Sequence, residues 1–290
     1  MTRQLDYTAE RDLPDVDYMQ PRFMQGFFAY VFARPYAVGR RVLDAGCGEG
    51  YGTDYLAEVA RWAVGVDLDV TCVQVARRRY TRPNLTFASM DLCRMGFSTG
   101  SMDLVVSFAV IEHIEDYEAY LRELARVTHP DGVVILEALN RQTPISLDPW
   151  HYKEFNASEL RTALGTFFGD VELWGMVGKT PRATAYRQKR ERVIRWVVQL
   201  GGLQLRRRLS RSAYLRLYLT AQRALRVWLW KRHLRTQGLT PEDFTVIQED
   251  IERAWSFFAV CRQPLPVKPR VFVGSPAVAQ ALRADSGDSP

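Results

Sequence analysis

The chain has 290 residues, of which 47% are hydrophobic, and a formal net charge of +6. This size suits one large domain or one domain with an insertion. Its four cysteines form no C-x-x-C pair, which predicts a reducing compartment and no zinc site. The polar, acidic start and the lack of an apolar run near roughly 18 residues predict no signal peptide and no membrane span. We therefore expect a cytoplasmic protein.

Strand and helix patterns alternate from about residue 40 to residue 179. The predicted strands are Arg41–Ala45, Ala63–Asp67, Leu85–Ala88, Met102–Phe108, Val133–Leu136 and Val171–Val177, with a seventh at Trp255–Cys261. The predicted helices are Thr53–Ala60, Thr71–Tyr80, Tyr117–Thr128 and Ala157–Leu164, with a turn at Pro130–Gly132. This order predicts an α/β fold with a doubly wound, Rossmann-like, seven-stranded sheet and right-handed crossovers.

The basic charge is concentrated in residues 180–238, which hold 16 Lys/Arg and one acid and carry +15, so that the rest of the chain carries −9. Such asymmetry marks a separate functional element. We predict four segments: an N-terminal helical cap at 1–38, the α/β domain at 39–179 and 239–264, a basic amphipathic helical insertion at 180–238, and a loose tail at 265–290.

The first predicted strand runs into a glycine-rich turn, from Val42 to Gly52. Glycine can adopt a positive φ and lets the backbone approach a ligand closely. The dinucleotide pattern G-x-G-x-x-G is excluded, because its third glycine would fall on Tyr51 or Thr53. What remains is Asp-x-Gly-x-Gly-x-Gly, starting at Asp44.

This pattern resembles motif I of the class I S-adenosylmethionine (SAM) methyltransferases, of the type 11/23-like kind. The resemblance covers about residues 7–263, and the further motifs that carry it are Glu10-Arg11-Asp12-Leu13-Pro14, Val64-Gly65-Val66-Asp67, Asn84-Leu85-Thr86-Phe87, Asp103-Leu104-Val105-Val106-Ser107-Phe108, Ile111-Glu112-His113-Ile114 and His151-x-x-Glu154-Phe155. Together they are similar to bacterial methyltransferases of glycan or lipopolysaccharide synthesis, an outline shared with quinone and natural-product enzymes. The resemblance implies SAM as cofactor and an antiparallel last strand. Ala109 stands where that group often has Glu, and Gln20-Pro21-Arg22-Phe23 where it often has His-x-Arg-Tyr.

SAM needs three kinds of contact, and each has a candidate. Asp44 can meet the ammonium directly or through water, and the turn admits the methionine half. Asp67, 21 residues after Gly46, can accept from the ribose diol, and Asp91 from the adenine amine. The full predicted cofactor set is Asp44, Gly46, Cys47, Gly48, Asp67, Leu68, Asp91, Leu92 (over the ring face) and Phe108 (lining the pocket).

Methyl transfer from a sulfonium is an in-line displacement that requires no metal, so we predict none. A sugar hydroxyl is a poor nucleophile, and an O-methyltransferase therefore benefits from a base. The candidates are His151, His113 and Glu112. Each also has a structural alternative: His113 can brace the loop after the fourth strand, His151 can pack its own loop, and Glu112 can be a helix N-terminal acid.

The basic insertion has three readings. It can be a lid on the sheet edge with solvated arginines, a docking element for an anionic membrane or lipid-linked acceptor, or a nucleic-acid surface, and a protein partner is the remaining possibility. Nucleic acid is disfavoured, because the helices are too apolar and no reader motif is present.

We predict a cytoplasmic SAM-dependent methyltransferase, O-directed, acting on a saccharide or lipid-linked glycan and peripheral at the inner face of the membrane if the insertion docks there. The alternative acceptor is a small aromatic, quinone-like or natural-product metabolite. The alternative of another class is a non-catalytic SAM-fold module that docks to a membrane or to a glycan-synthesis complex.

Overall fold

The computed structural model describes residues 20–143, 151–197, 220 and 238–266. The helices are α1 (Gln20–Ala37), α2 (Tyr51–Ala57), α3 (Val70–Arg79), α4 (Tyr117–Val127), α5 (Ala157–Gly165) and α6 (Pro181–Val197). The strands are β1 (Arg41–Ala45), β2 (Trp62–Asp67), β3 (Leu85–Ser89), β4 (Met102–Phe108), β5 (Thr128–Leu139), β6 (Phe168–Gly178), β7 (Phe244–Ile247) and β8 (Ser256–Pro264).

The eight strands form one mixed sheet in the order β3-β2-β1-β4-β5-β8-β6-β7. Strands β1 to β5 pair in parallel, whereas β8 pairs antiparallel to both β5 and β6. From β1 the chain adds β2 and β3 on one side, and then β4 and β5 on the other side. In such sheets a ligand crevice lies at the carboxyl ends of the two strands where the order changes, here β1 and β4. The doubly wound α/β fold and its antiparallel last strand are confirmed.

Two details differ from the sequence prediction. The sheet has eight strands rather than seven, because Phe244–Ile247 pairs with β6. The predicted turn at Pro130–Gly132 is wrong, since β5 already begins at Thr128. The register of the β4–β5 pairing shifts between Met102 and Leu104, so Pro130–Gly132 lie in an irregularity within β5.

Apolar side chains cover both faces of the sheet, as expected for parallel strands with helices on either side. One cluster joins the sheet to α4 and α5 through Tyr120, Leu124 and Leu160, and the other joins it to α1 and α2 through Tyr30 and Leu56. The central strands are thereby fixed, and so are the positions of the loops that follow them.

Side-chain caps fix the starts of three helices that follow such loops. Asp69 accepts from the Thr71 backbone N–H at the start of α3, and Asp116 accepts from that of Ala119 at the start of α4. Asn156 forms a capping box with Glu159 at the start of α5. Helix α2 differs, because its N-cap residue is Gly50 and no side chain caps it.

The basic segment begins as α6, which packs on the sheet. Arg187 is 4% exposed, and its guanidinium lies 5.3 Å from the centre of the Trp255 ring. It also donates to the Thr143 carbonyl and pairs with Glu191 at 2.6 Å. Most of the predicted insertion, the tail beyond residue 266 and residues 1–19 lie outside the described residues, so the predicted segment boundaries stay predictions.

Among the residues that the structure describes, no helix is long and apolar enough to cross a membrane.

Candidate cofactor and acceptor site

The glycine turn lies over the carboxyl end of β2. The backbone N–H groups of Gly46 and Cys47 donate to the Val66 carbonyl at 2.8 and 3.0 Å. Gly48 has φ +53°, and a Cβ built there would meet no atom within 4 Å. The turn therefore needs a left-handed residue at this position and leaves its backbone open to a ligand.

Asp67, the last residue of β2, holds this turn in place. Its Oδ2 accepts from the Gly48 backbone N–H at 2.9 Å, and its Oδ1 accepts from that of Asp69 at 2.9 Å. Each carboxylate oxygen has further lone pairs for a ligand hydroxyl. The next residue, Leu68, is 70% exposed and offers apolar surface beside the carboxylate.

Asp44 lies beneath the turn and is completely buried. It accepts from the Thr53 hydroxyl at 2.6 Å and from the Tyr30 hydroxyl at 3.3 Å. Burial raises the pKa of Asp44 to about 7, against the opposing effect of these two hydrogen bonds. The predicted contact between Asp44 and the ammonium of the cofactor is untested, and its observed contacts join β1, α1 and α2.

The remaining predicted cofactor residues divide by exposure. Asp91 is exposed and accepts from the backbone N–H two residues further on. Cys47, Leu92 and Phe108 are 3%, 5% and 9% exposed, and Phe108 packs edge-to-face on Tyr30 with ring centres 4.9 Å apart. The open surface of the predicted set therefore comes from Gly46, Gly48, Asp67, Leu68 and Asp91.

The loop after β4 contacts the glycine turn directly. A Cβ at Gly46 would lie 2.3 Å from Cγ2 of Val110, so the absence of a side chain lets Val110 pack there. The residue between this valine and the strand, Ala109, has φ +53° and donates its N–H to the Glu137 carbonyl at 3.3 Å. A non-glycine residue in this conformation is uncommon and costs free energy.

Glu112 and His113 lie in the short 3₁₀ helix Ile111–His113, two residues beyond that contact. His151 is 38 positions further along the chain, yet its ring centre lies 4.8 Å from that of His113, at an interplanar angle of 77°. One ligand-type atom from each of the three side chains lies within 4.8 Å of the others. All three predicted catalytic residues are therefore brought together.

Glu154 extends this cluster. The Nδ1 atom of His151 lies 2.6 Å from Oε1 of Glu154, and their side chains are 8% and 18% exposed. The backbone N–H of Tyr152 donates to the Glu112 carbonyl at 2.8 Å, which ties the two loops together. Sequence reasoning did not assign Glu154 a role, although the spacing His-x-x-Glu was the available signal.

A second buried carboxyl that sequence reasoning missed is Glu137, at the carboxyl end of β5. It accepts from the Ser256 hydroxyl on β8 at 2.7 Å and is 4% exposed. Burial raises the pKa of Glu137 to about 8, with a further contribution from the charge of Glu112. No spacing in the sequence links Glu137 to Ser256, because their contact depends on the antiparallel pairing of β5 with β8.

The comparisons with known proteins agree with this geometry. Residues 43–136 match the methyltransferase domain family. The chain is 38% identical over 180 residues to the probable S-adenosylmethionine-dependent methyltransferase Rv3030 of Mycobacterium tuberculosis (strain ATCC 25618 / H37Rv), covering 59% of this chain and 64% of that protein. It is 34% identical over 117 residues to the ubiquinone biosynthesis O-methyltransferase of Xanthomonas oryzae pv. oryzae (strain PXO99A), covering 39% and 48%. The chain thus spans less than two thirds of the length of each relative.

A solved structure extends the likeness to most of the chain. A chain of the complex that contains the Haloferax volcanii Trm112 methyltransferase activator superposes with a TM-score of 0.52 at 16% identity, covering 84% of this chain and 94% of that chain. The chain therefore has the α/β fold of the class I methyltransferases, and its residues 43–136 match the methyltransferase domain family.

Proposed function

We propose that this chain is a SAM-dependent methyltransferase. The observation that carries the proposal is the arrangement of Asp67 and Gly48, in which a carboxylate at the end of β2 holds an open glycine turn. This places acceptor oxygens for a diol beside a backbone that a ligand can approach. The family match over residues 43–136 supports the same activity.

The donor set fits SAM residue by residue. Asp67 would accept from the two ribose hydroxyls, and the exposed Leu68 would cover one face of the adenine ring. The exposed Asp91 would accept from the adenine amine. The turn at Gly48 would receive the methionine half, with the buried carboxyl of Asp44 beneath it.

When bound, SAM would supply an electron-poor methyl group attached to its sulfonium sulfur, and that carbon–sulfur bond would break as the bond to the acceptor forms. The chain's own part is to align donor and acceptor and to exclude water. The contact of Val110 with Gly46 places the loop that carries Glu112 and His113 directly beside the cofactor turn. We therefore assign the acceptor to the space bordered by Glu112, His113 and His151.

We propose a hydroxyl oxygen as the methylated atom and a saccharide or lipid-linked glycan as the acceptor class. The polar cluster of two histidines and two carboxylates supports an acceptor with several hydroxyl groups, and the motif resemblance supports a glycan. The alternative is a quinone-like or aromatic metabolite, which the 34% identity to a ubiquinone biosynthesis O-methyltransferase favours. A non-catalytic module would bind SAM and release no product.

Replacing Asp67 tests the cofactor assignment. Asp67→Asn removes the charge and one acceptor function but keeps the shape, so we expect SAM affinity to fall at least tenfold by isothermal titration calorimetry. Asp131→Asn is the matched control, because the side chain of Asp131 is 94% exposed at the far end of β5. Equal SAM affinity in Asp67→Asn and the unchanged chain would contradict the assignment.

The acceptor class is tested by following S-adenosylhomocysteine release. Delipidated saccharide fractions, lipid-linked glycan fractions and quinone precursors are supplied separately to the purified chain. Product with either glycan fraction supports the proposal, and product with quinone precursors alone supports the alternative. SAM binding without product in any fraction favours the non-catalytic module.

For the basic segment we propose the lid role over the sheet edge, which the burial of Arg187 in α6 supports. Peripheral binding to the inner face of the membrane is the competing role, and flotation with anionic liposomes measures it. Salt-sensitive flotation favours membrane docking, whereas its absence at low salt favours the lid.

A further inference from the structure

We propose that Glu112, His113 and His151 form a binding site for one divalent transition-metal cation of the Zn²⁺ class. The sequence alone predicted no metal, because its cysteines lack ligand spacing and methyl transfer does not require one. The site stands on the geometry of these three residues, and its catalytic consequence rests on the proposed methyltransferase function.

The distances suit a shared cation. One ligand-type atom from each residue lies within 4.8 Å of the other two. Ligands bound to Zn²⁺ at about 2.1 Å lie roughly 3 to 4 Å apart. Small side-chain rotations, above all of the half-buried His113, would close the remaining gap, while Glu112 is 1% exposed and the side chain of His151 is 8% exposed.

The chemistry of the donors points the same way. Two imidazoles and one carboxylate are a donor set typical of divalent transition metals, whereas Mg²⁺ and Ca²⁺ prefer oxygen ligands alone. A carboxylate taken out of water, as at Glu112, is stabilised by a neighbouring cation. The cluster therefore has both the ligand types and the charge that such an ion requires.

Glu154 supplies the outer support that metal-binding histidines usually have. Its Oε1 lies 2.6 Å from Nδ1 of His151. A ring that donates its Nδ1–H to a carboxylate carries its lone pair on Nε2, ready for a metal, and is fixed in orientation. A histidine that merely packed its loop would not need this partner.

The position gives the cation a role in the proposed reaction. The cluster follows the loop that contacts the cofactor turn, so the cation would polarise an acceptor hydroxyl there and make its proton easier to lose to solvent. The oxygen then forms a bond to the methyl carbon as the carbon–sulfur bond breaks, and the electron pair of that bond stays on sulfur. No oxidant or reductant is needed.

Metal binding is measured on the full chain, purified without a polyhistidine tag and treated with a chelator. Zn²⁺ is titrated by calorimetry, and Co²⁺ by its visible absorption. We expect one cation per chain and a loss of affinity of at least tenfold in His113→Ala, His151→Ala and Glu112→Gln. Glu154→Gln is expected to weaken binding about 10- to 100-fold, as loss of an outer partner does.

His129→Ala is the matched control, because His129 is 41% exposed in its side chain and paired with Asp131 on β5, away from the cluster. Circular dichroism and SAM titration establish that each variant folds. Stoichiometric Zn²⁺ binding that only the cluster variants weaken supports the site. No Zn²⁺ or Co²⁺ binding by the unchanged chain, or equal loss in His129→Ala, overturns it.

The two proposals fail separately. Methyl transfer at full rate after chelation, with no cation bound, overturns the catalytic role of the cation and leaves the proposed methyltransferase function in place. A bound cation without SAM binding supports the metal site and contradicts the proposed methyltransferase function.

Discussion

Single residues at this site combine packing with chemistry, and Gly52 is an example. It lies in the first turn of α2, where a Cβ would come within 2.0 Å of the Tyr30 ring. The hydroxyl of the same tyrosine lies 3.3 Å from Asp44. The missing side chain thus lets α1 lie close enough to hold the buried carboxyl beneath the cofactor turn.

We expect Gly52→Ala to lower the free energy of unfolding by about 1 to 3 kcal/mol, because the methyl group overpacks against Tyr30. Urea denaturation measures the loss. Gly165→Ala is the control, since a Cβ at that position has open space. In a double-mutant cycle with Tyr30→Ala, the double mutant should lose less stability than the sum of the two single-mutant losses. Strict additivity would contradict the contact.

His151→Ala is expected to lower turnover at least 100-fold with SAM affinity unchanged within about twofold, because in our proposal His151 borders the acceptor rather than the cofactor turn. Initial rates of S-adenosylhomocysteine release and calorimetric SAM titration give the two readouts. Asp67→Asn should show the opposite pattern. Unchanged turnover in His151→Ala would remove His151 from the mechanism.

At the level of the elements, the strands were the most predictable part. β1 and β4 agree with their predicted bounds, because buried apolar runs bracketed by turns define them. β7 was missed, since its four residues become a strand only by pairing with β6. The residues that follow strands were also predictable as site candidates. The nearness of His113 to His151 was not, because it depends on a loop 38 positions away.

Helix α6 is the described start of the basic segment, and Arg187 fixes it to Thr143 and Trp255. We expect Arg187→Ala to lower the free energy of unfolding by about 2 to 4 kcal/mol, because it removes a buried donor to the Thr143 carbonyl and the contact with Trp255. Denaturation monitored by tryptophan fluorescence measures it. Arg192→Ala, at an exposed position of the same helix, should change it by less than about 0.5 kcal/mol.

At the scale of the whole molecule, buried carboxyls make stability depend on pH. Burial raises the pKa of Asp44 from 3.8 to about 7 in the folded chain. Between these values the unfolded chain has an ionised carboxyl while the folded chain keeps it protonated. The contribution of Asp44 to stability is therefore complete below about pH 4 and is lost as the pH rises to about 7.

Asp44→Asn removes this titration. We expect it to gain stability relative to the unchanged chain between about pH 4 and pH 7, by on the order of 3 kcal/mol at the upper end. Urea denaturation at several pH values measures the difference. A difference that stays constant across this pH range in Asp44→Asn would contradict the raised pKa of Asp44.

The place of β8 between β5 and β6 has a consequence for how the chain can fold as it is synthesised. The strands β1 to β5 can assemble by themselves, whereas among the described strands β6 pairs only with β8 and β7. A nascent chain that ends before Ser256 would therefore leave β5 with an open edge and the β6–β7 pair undocked, however long the basic segment takes to emerge. An open edge of this kind can pair with other chains. The sheet can be completed only after β8 has left the ribosome.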